Sequence, residues 1–207
     1  MIMGSKIGSR FKDASLETCT VNATNKAAVE HARKIVSEEI GGLVISGPVG
    51  TGKTHIIIAA LNDIEAAHIP VIREMDDGIE CMSPSRRYVY WKANDLANAV
   101  RSSVADYTDP VKDANRADVL FIDDLGTEYE KVGSDFIWVA LQAIFDYRWE
   151  NEKPIMVTTN LNSTEIAKRY GDRVLSRWRG SCKMLSLRGD DRRDGGSLNI
   201  NNPRGGI

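Results

Sequence analysis

Residues 47–54, GPVGTGKT, constrain the fold of this chain more than any other feature of its sequence. They match the pattern GxxxxGK[ST], in which a glycine-rich turn directs backbone N–H groups at phosphate oxygens. The pattern works where a buried strand ends in the turn and a helix begins directly after it, because the positive end of the helix then faces the same phosphates. The motif therefore predicts an α/β fold built around one strand, loop and helix.

The segments on either side of the motif have the required character. Leu43–Ser46 is a short apolar run next to glycine, which is typical of a buried parallel strand. Residues 56–67 are apolar and rich in alanine, which is typical of a buried helix. A glycine-rich turn with an incidental lysine is the alternative, and this order of strand, loop and helix disfavours it.

The rest of the chain alternates between predicted strands and helices. Further apolar, strand-like runs lie at residues 88–91, 119–124, 155–160 and 184–187. Helical patterns lie at residues 25–39, 134–150, 163–170 and 172–179, and Ser134 is the predicted cap of the second of these. A further helix is predicted to follow the strand at 88–91, with Asn94 or Asp95 as its cap. Residues 69–75 and 79–82 are predicted to pair as a hairpin around Asp76-Asp77-Gly78. The segment 106–118 is polar, with Pro110 in its middle, and no helix or strand is predicted there. This alternation predicts a three-layer αβα sandwich with a mostly parallel, five-stranded sheet.

Length and composition favour one domain. The chain has 207 residues, of which 42% are hydrophobic, enough for one sizeable core. We expect this domain to cover residues 1–194, with 1–40 as an N-terminal lead-in and helix, and residues 195–207 to be a disordered tail rich in Gly and Asn. Because no apolar run approaches the roughly 20 residues that cross a bilayer and the first ten residues are too polar for a signal peptide, we expect an intracellular protein.

Charge is distributed unevenly along the chain, although the formal net charge is only −2. From Lys168 to Arg204 there are ten Lys or Arg and four Asp or Glu, a balance of +6, which leaves −8 for the remainder. A polyanion site near the C-terminal end is one explanation, and arginines that serve only nucleotide and subunit contacts are the other.

Polar side chains follow two of the predicted strands. Asp123 and Asp124 end one strand, where the first could hold Mg²⁺ and the second could orient an attacking water. Asn160 ends the next strand along the chain, within reach of the same water or of a γ-phosphate. The alternatives are a solvated turn for the two aspartates and a helix cap before Ser163 for the asparagine.

Three arginines near the C-terminal end are candidates for contacts to phosphate. Arg173 and Arg177 are four residues apart and share a helix face, from which either could reach a phosphate bound by a neighbouring subunit. Arg193 follows the last strand and could fold back over the γ-phosphate of its own subunit. An ordinary solvated surface is the alternative for these arginines.

The motifs occur in the order of one known family. They are GPVGTGKTH, LFIDDLGTE, TTNL, GDRVLSRW and LRGDDRR, which resemble in turn Walker A, Walker B, sensor 1, the arginine-finger helix and sensor 2. Over residues 7–193 the chain resembles the AAA+ ATPase module of DnaC/DnaI-type helicase loaders, with the IstB-like transposition ATPases as close relatives. The fold implied by this resemblance is a P-loop NTPase of the AAA+ type.

The resemblance also implies roles for individual residues. Lys53 would contact the phosphates of ATP, Thr54 and Asp123 would hold Mg²⁺, and Asp124 would activate water. Asn160 would be the sensor, Arg177 the finger acting on a neighbouring subunit with Arg173 as second choice, and Arg193 the sensor within the same subunit. The ATP-binding residues implied are Gly47, Pro48, Val49, Gly50, Thr51, Gly52, Lys53, Thr54, His55 and Arg193.

A function in DNA replication follows from the resemblance as an expectation. The chain would bind and slowly hydrolyse ATP in a homo-oligomer that acts on a replicative DNA helicase and single-stranded DNA, in the cytoplasm of a bacterial or phage-infected cell. The resembling loaders usually grip the helicase with a separate N-terminal domain, whereas here about forty residues precede the first strand. Candidate DNA contacts are Arg101, Tyr107, Lys112 and Arg116, for which a solvated loop is the alternative. The alternatives are an IstB-like ATPase that delivers DNA to a transposase, a small-molecule P-loop kinase and a non-catalytic module.

Overall fold

The computed structural model describes residues 4–37, 41–67, 71–75, 78–82, 87–106, 109–128 and 135–189. The strands are β1 (Gly42–Ser46), β2 (Val71–Met75), β3 (Gly78–Met82), β4 (Tyr88–Lys92), β5 (Val119–Leu125), β6 (Ile155–Thr159) and β7 (Cys182–Ser186). The helices are α1 (Lys26–Val36), α2 (Lys53–Ala67), α3 (Ala93–Asp106), α4 (Pro110–Arg116), α5 (Asp135–Glu150), α6 (Ser163–Tyr170) and α7 (Asp172–Ser181). A short 3-10 helix, Ser9–Phe11, precedes α1.

Five of these strands form one sheet, in the order β4, β5, β6, β1, β7. Every neighbouring pair in the sheet is parallel. Strand β6 therefore separates β1, which leads into the phosphate-binding motif, from β5, which carries the two aspartates. This arrangement confirms the predicted five-stranded α/β sandwich.

Helices cover both faces of the sheet. One core packs α1 and α2 against alternate strand residues, among them Ile45, Phe121 and Met156. The other core packs α3 to α7 against the intervening residues, among them Val44, Ile122 and Val157. Because parallel strands bury side chains on both faces, these runs are continuously apolar rather than alternating.

The predicted hairpin is confirmed for its two strands. Strands β2 and β3 pair antiparallel, from Val71 opposite Met82 to Met75 opposite Gly78, and form a separate two-stranded sheet. Residues 76 and 77 of the predicted turn lie outside the described residues.

Two helices differ from the sequence analysis. The segment 106–118, for which no helix was predicted, contains α4. Its first residue is Pro110 and its N-cap is Asp109, whose side chain accepts a hydrogen bond from Lys112 N at 2.8 Å. The cap predicted at Asn94 or Asp95 is incorrect, because α3 already begins at Ala93. Strand β4 runs directly into α3, so both residues lie in the first helical turn.

Two further predictions lie outside the described residues. They concern Ser134 as a helix cap and the tail 195–207. Within the part of the chain that the structure describes, we find no helix with the length and apolar character needed to cross a membrane.

Candidate nucleotide-binding site

The turn between β1 and α2 has the backbone that an anion-binding loop requires. Gly47, Gly50 and Gly52 have φ angles of +141°, +81° and +93°, a region that residues with a Cβ rarely enter. A Cβ on Gly47 would also lie 2.3 Å from the carbonyl oxygen of Leu187, so this position accepts only glycine. The loop leads into the 15-residue helix α2, whose N-terminus contributes backbone N–H groups and a positive dipole end.

Lys53, the first residue of α2, lies inside the loop rather than in solvent. Its side chain is 5% exposed, and its Nζ donates to the carbonyl oxygens of Gly47 at 2.8 Å and Pro48 at 2.7 Å. Nζ also donates to Asn160 Oδ1 at 2.9 Å. The structure thus brings together the motif lysine and the predicted sensor, because β6 lies directly beside β1.

Asp123 lies on the other side of the same site and is 2% exposed. Its Oδ1 accepts hydrogen bonds from the hydroxyl of Thr54 at 2.9 Å and from the hydroxyl of Thr158. Its Oδ2 accepts from the hydroxyl of Tyr90 at 3.1 Å. Burial, together with the Asp123 charge, raises the pKa of Tyr90 well above its ordinary value, so this hydroxyl stays protonated and donates. Three hydroxyl groups therefore hold the carboxylate in place.

Asp124 is placed by an irregularity in β5. The register between β5 and β6 shifts between Ile122 and Leu125, and Asp124 has a φ of +55°. Its backbone N–H donates to the hydroxyl of Thr158 at 2.9 Å, and its carbonyl oxygen accepts from the hydroxyl of Thr127 at 2.7 Å. A bulge of this kind redirects a side chain at the edge of a sheet, and aspartate tolerates the left-handed conformation better than most residues.

The remaining loop residues have more peripheral positions. The carbonyl oxygen of Pro48 accepts from the hydroxyl of Thr51 at 2.9 Å, and Val49 is exposed at the tip of the loop. His55 lies on α2 beside the 3-10 helix, with its ring centroid 6.1 Å from that of Phe11.

The two candidate finger arginines lie on α7, beside α5. The guanidinium of Arg177 pairs with Asp146, lies 3.8 Å from Glu150 Oε1 and stands 4.8 Å from the centre of the Trp149 ring. The Arg177 side chain is 10% exposed. Arg173 is 67% exposed and lies 3.5 Å from Asp146 Oδ2. These contacts are made to α5, not to the phosphate loop of the same chain; Arg193 lies outside the described residues.

The residues present fit a magnesium nucleotide. The positive-φ glycines and the start of α2 form a cradle for phosphate oxygens, with the Lys53 ammonium beside it. The hydroxyl of Thr54 and the carboxylate of Asp123 are within one hydrogen bond of each other, at 2.9 Å. Hydroxyl and carboxylate oxygens are the ligands that Mg²⁺ takes beside substrate phosphates. Lys53, Thr54 and Asp123 would therefore hold the phosphates and the ion.

Sequence reasoning missed two residues of this site, Tyr90 and Thr158. Tyr90 lies opposite Phe121 in the parallel register, and side chains alternate along a strand. Tyr90 is thus on the same sheet face as Phe121 and, two residues further, Asp123. The alternation of side chains could have indicated Tyr90 only once β4 and β5 were known to be neighbouring strands. Thr158 precedes the predicted sensor by two residues, and a threonine hydroxyl at a strand end was the available signal for it.

Comparison with known proteins identifies the family. The family model of the bacterial DnaA ATPase domain matches residues 12–183, and the chain belongs to this family. The replicative helicase loader DnaC of Escherichia coli (strain K12) is 28% identical over 157 residues, which cover 73% of this chain and 57% of the loader. The chain thus spans little more than half the length of the DnaC relatives it matches.

Solved structures agree with this assignment. A crystal structure of the DnaC helicase loader is 26% identical, with a TM-score of 0.68, and the match covers 87% of this chain and 100% of that chain. A structure of the replication initiator DnaA bound to AMPPCP and single-stranded DNA is 22% identical, with a TM-score of 0.68, covering 86% of this chain and 50% of that one. At that identity the DnaA structure shows a shared fold. The chain is a AAA+ domain of the DnaC/DnaI type, as its motifs indicated.

Proposed function

We propose that this chain binds ATP with Mg²⁺ and hydrolyses it slowly, as a replication ATPase of the helicase-loader type. Two hydrogen-bonded pairs at the N-terminus of α2, Lys53 with Asn160 and Thr54 with Asp123, support this function most directly. These four side chains come from α2, from β5 and from the residue directly after β6, which places them at the carboxyl edge of the sheet where α/β proteins bind ligands. The structure bound to AMPPCP belongs to a protein of the same fold and supports the choice of nucleotide.

The proposed roles follow from the chemistry of each group. Lys53 compensates phosphate charge with its ammonium, and Asn160 holds that ammonium from the other side of the loop. A bound Mg²⁺ would neutralise charge that develops on the transferred phosphoryl group. The hydroxyl donors around Asp123 orient its carboxylate. Asp124 is the group that accepts a hydrogen bond from the attacking water and orients it.

Assembly into a homo-oligomer is the second part of the proposal. Arg177 would leave its contacts on α5 and complete the phosphate site of a neighbouring subunit, with Arg173 as the more exposed alternative. The ATP state then holds neighbours together, and hydrolysis removes the contact that favours assembly. Arg193 would contact the γ-phosphate within its own subunit.

A replicative DNA helicase and single-stranded DNA are the proposed partners, in the cytoplasm of a bacterial or phage-infected cell. The name of the DnaC relative and the DNA in the DnaA structure support them. Among the candidate DNA contacts, Arg101, Lys112 and Arg116 are exposed on α3 and α4, while Tyr107 lies outside the described residues. Binding through such basic side chains would weaken steeply as salt is raised. A replicative helicase loader and a replication initiator are among the relatives, which supports a loader over the IstB-like alternative.

Substitution of Lys53 by alanine tests the nucleotide site directly. Lys53→Ala removes the ammonium inside the loop, so we expect ATP affinity to fall by roughly 100-fold, since a buried charge contact to phosphate is lost. Titration with a fluorescent ATP analogue measures it. The matched control is Lys34→Ala, an exposed lysine on α1, which should bind like the wild type. Unaltered ATP affinity in Lys53→Ala would refute the proposed function.

Partner assignment requires a separate experiment. ATP turnover is measured with and without single-stranded DNA, and a replicative helicase is tested by pull-down with the wild-type protein. Stimulation by single-stranded DNA together with helicase capture is the expected result. ATP-dependent filaments on duplex DNA without helicase affinity would instead support the transposition ATPase.

A further inference from the structure

The carboxylate of Glu128 is buried where the loop after β5 meets α6. Its side chain is 8% exposed. Oε2 accepts a hydrogen bond from the backbone N–H of Gly126 at 2.8 Å, within the loop that follows Asp124. Oε1 accepts from the hydroxyl of Tyr170 and lies 3.3 Å from Nε of Arg169. Both oxygens are thus engaged, one toward the loop and one toward the end of α6.

Arg169 contacts the main chain of Glu128 as well as its carboxylate, and Tyr170 contacts the carboxylate as a hydrogen-bond donor. Nη2 of Arg169 donates to the main-chain carbonyl oxygen of Glu128 at 2.8 Å, so the arginine binds both the backbone and the carboxylate. Burial, followed by the Glu128 charge, raises the pKa of Tyr170, which keeps its hydroxyl protonated and donating. A buried carboxylate with these partners makes the connection stiff, because losing any one of them leaves charge or a polar group unsatisfied.

The end of α6 is also the start of α7. Gly171, with a φ of +90°, is the single residue between the two helices. On α5, Trp138 Nε1 donates to the carbonyl oxygen of Arg169 at 3.1 Å and Gln142 Nε2 to that of Tyr170 at 3.4 Å. The side chains of Arg169 and Tyr170 thus bind the junction between α6 and α7 to the loop after β5. The main-chain carbonyl groups of the same two residues bind this junction to α5. A displacement of the loop would shift the first turn of α7.

We propose that Glu128 is a positioning residue that couples the loop directly after Asp123 and Asp124 to α7, the helix that carries the two candidate finger arginines. Arg173 and Arg177 follow Tyr170 by three and seven residues. The state of the phosphate site then decides how these arginines are presented to a neighbouring subunit. This inference rests on the proposed ATPase function. Contiguous side-chain contacts of this kind can carry coupling between two sites.

Two variants weaken the connection without removing bulk. Glu128→Gln keeps the shape and removes the charge, and Tyr170→Phe removes the hydroxyl alone. Their matched controls are Glu30→Gln, on the exposed face of α1, and Tyr147→Phe, on the exposed face of α5. Tyr170→Phe keeps the test decisive even where Glu128→Gln folds poorly.

The first measurement is amide hydrogen exchange without nucleotide. Residues 171–181 should exchange roughly tenfold faster in both variants, since a contact of this type carries coupling of that size, while α2 exchanges as in the wild type. Unchanged exchange over residues 171–181 in both variants would overturn the coupling. The outcome does not depend on whether the protein hydrolyses ATP.

The second measurement separates coupling from a merely structural role. With ATP, kcat should fall roughly tenfold in both variants while KM stays within about twofold, because nucleotide binding is preserved and finger placement is lost. Wild-type kcat in both variants, or loss of ATP affinity in place of kcat, would overturn the inference. A wild-type protein without ATPase activity would refute the proposed function, and the exchange measurement would still decide whether Glu128 holds α7.

Discussion

At the residue scale, the site depends on how one carboxylate is held. Asp123 is buried, and hydroxyl groups from three different elements, on Thr54, Thr158 and Tyr90, donate to it. Burying a carboxylate costs considerable free energy unless hydrogen bonds from the protein replace those from water. The three donors provide that replacement and also fix the direction in which the carboxylate can offer a lone pair to a metal ion.

Tyr90→Phe tests this view. The variant loses the 3.1 Å hydrogen bond to Asp123 Oδ2 and keeps the ring in the core. We expect the free energy of unfolding to fall by about 1.5 kcal/mol, as for a hydrogen bond to a charged group. We also expect the Mg²⁺ concentration for half-maximal nucleotide binding to rise roughly tenfold, as for other partners of metal ligands. Urea denaturation and Mg²⁺ titration measure the two effects.

Tyr147→Phe provides the control for that pair of measurements, because this tyrosine is exposed on α5. Tyr147→Phe should change neither the free energy of unfolding nor the Mg²⁺ concentration for half-maximal nucleotide binding. If Tyr90→Phe also kept the wild-type values of these two quantities, the Tyr90 hydroxyl would not contribute to holding Asp123.

At the element scale, α4 is the helix that the sequence analysis did not predict. The signals were present, since Asp109 is a preferred N-cap residue and Pro110 a preferred first residue of a helix. Seven residues are too few for a helix to be stable alone, so a pattern-based prediction has little to detect. What stabilises α4 is tertiary, because Arg148 on α5 and Lys153 donate to the carbonyl oxygens at its C-terminal end.

Arg148 is the buried cation at this junction. Its guanidinium donates to the carbonyl oxygens of Ala114 at 2.7 Å, Ala117 at 3.0 Å and Asp118 at 3.2 Å, and also to that of Pro154. Burial lowers the pKa of Arg148 to about 10, so the side chain remains protonated at neutral pH. One side chain thereby joins α4 to the beginnings of β5 and β6.

Arg148→Met tests the importance of this junction for folding. The substitution removes the Arg148 hydrogen bonds from four carbonyl oxygens. The carbonyls of Ala117 and Pro154 keep a second donor, Lys153 Nζ and Leu120 N respectively. Since a buried carbonyl that loses its partner costs about 1–3 kcal/mol, we expect a loss of roughly 3 kcal/mol in the free energy of unfolding. Urea denaturation followed by circular dichroism measures it. Arg116→Met, an exposed position on α4, should stay within about 0.5 kcal/mol of the wild type. A similar stability for both variants would contradict the role assigned to Arg148.

At the scale of the whole molecule, the candidate fingers and the phosphate loop are parts of different surfaces. Arg177 is held by Asp146 and Glu150 and stacked near Trp149, all on α5 of its own chain. A role toward a neighbouring subunit would require it to exchange these partners for a phosphate. Arg173 is far more exposed, since 67% of its side chain is accessible to solvent.

Arg177→Ala and Arg173→Ala distinguish the two candidates. For the true finger we expect ATP affinity to be retained, ATP-dependent oligomers to disappear and kcat to fall by roughly 10³-fold, the lower end of known arginine-finger effects. Sedimentation with and without ATP and steady-state turnover measure these quantities. The other arginine serves as the matched control. Normal assembly and turnover in both variants would remove α7 from the proposed subunit interface.

Local chemistry in the sequence by itself determined the phosphate loop, the apolar strands and the acids at their ends. Glycine at 47, an apolar run before it and a helix after it can form few other structures, because their torsion angles and burial are short-range properties. Only the tertiary structure decided the strand order, and with it the meeting of Lys53 with Asn160 and of Asp123 with Tyr90. Glu128 and Arg148 likewise bind distant parts of the chain, since Tyr170 is 42 positions from Glu128 and Ala114 is 34 positions from Arg148. A pattern of neighbouring residues carries no information about such contacts.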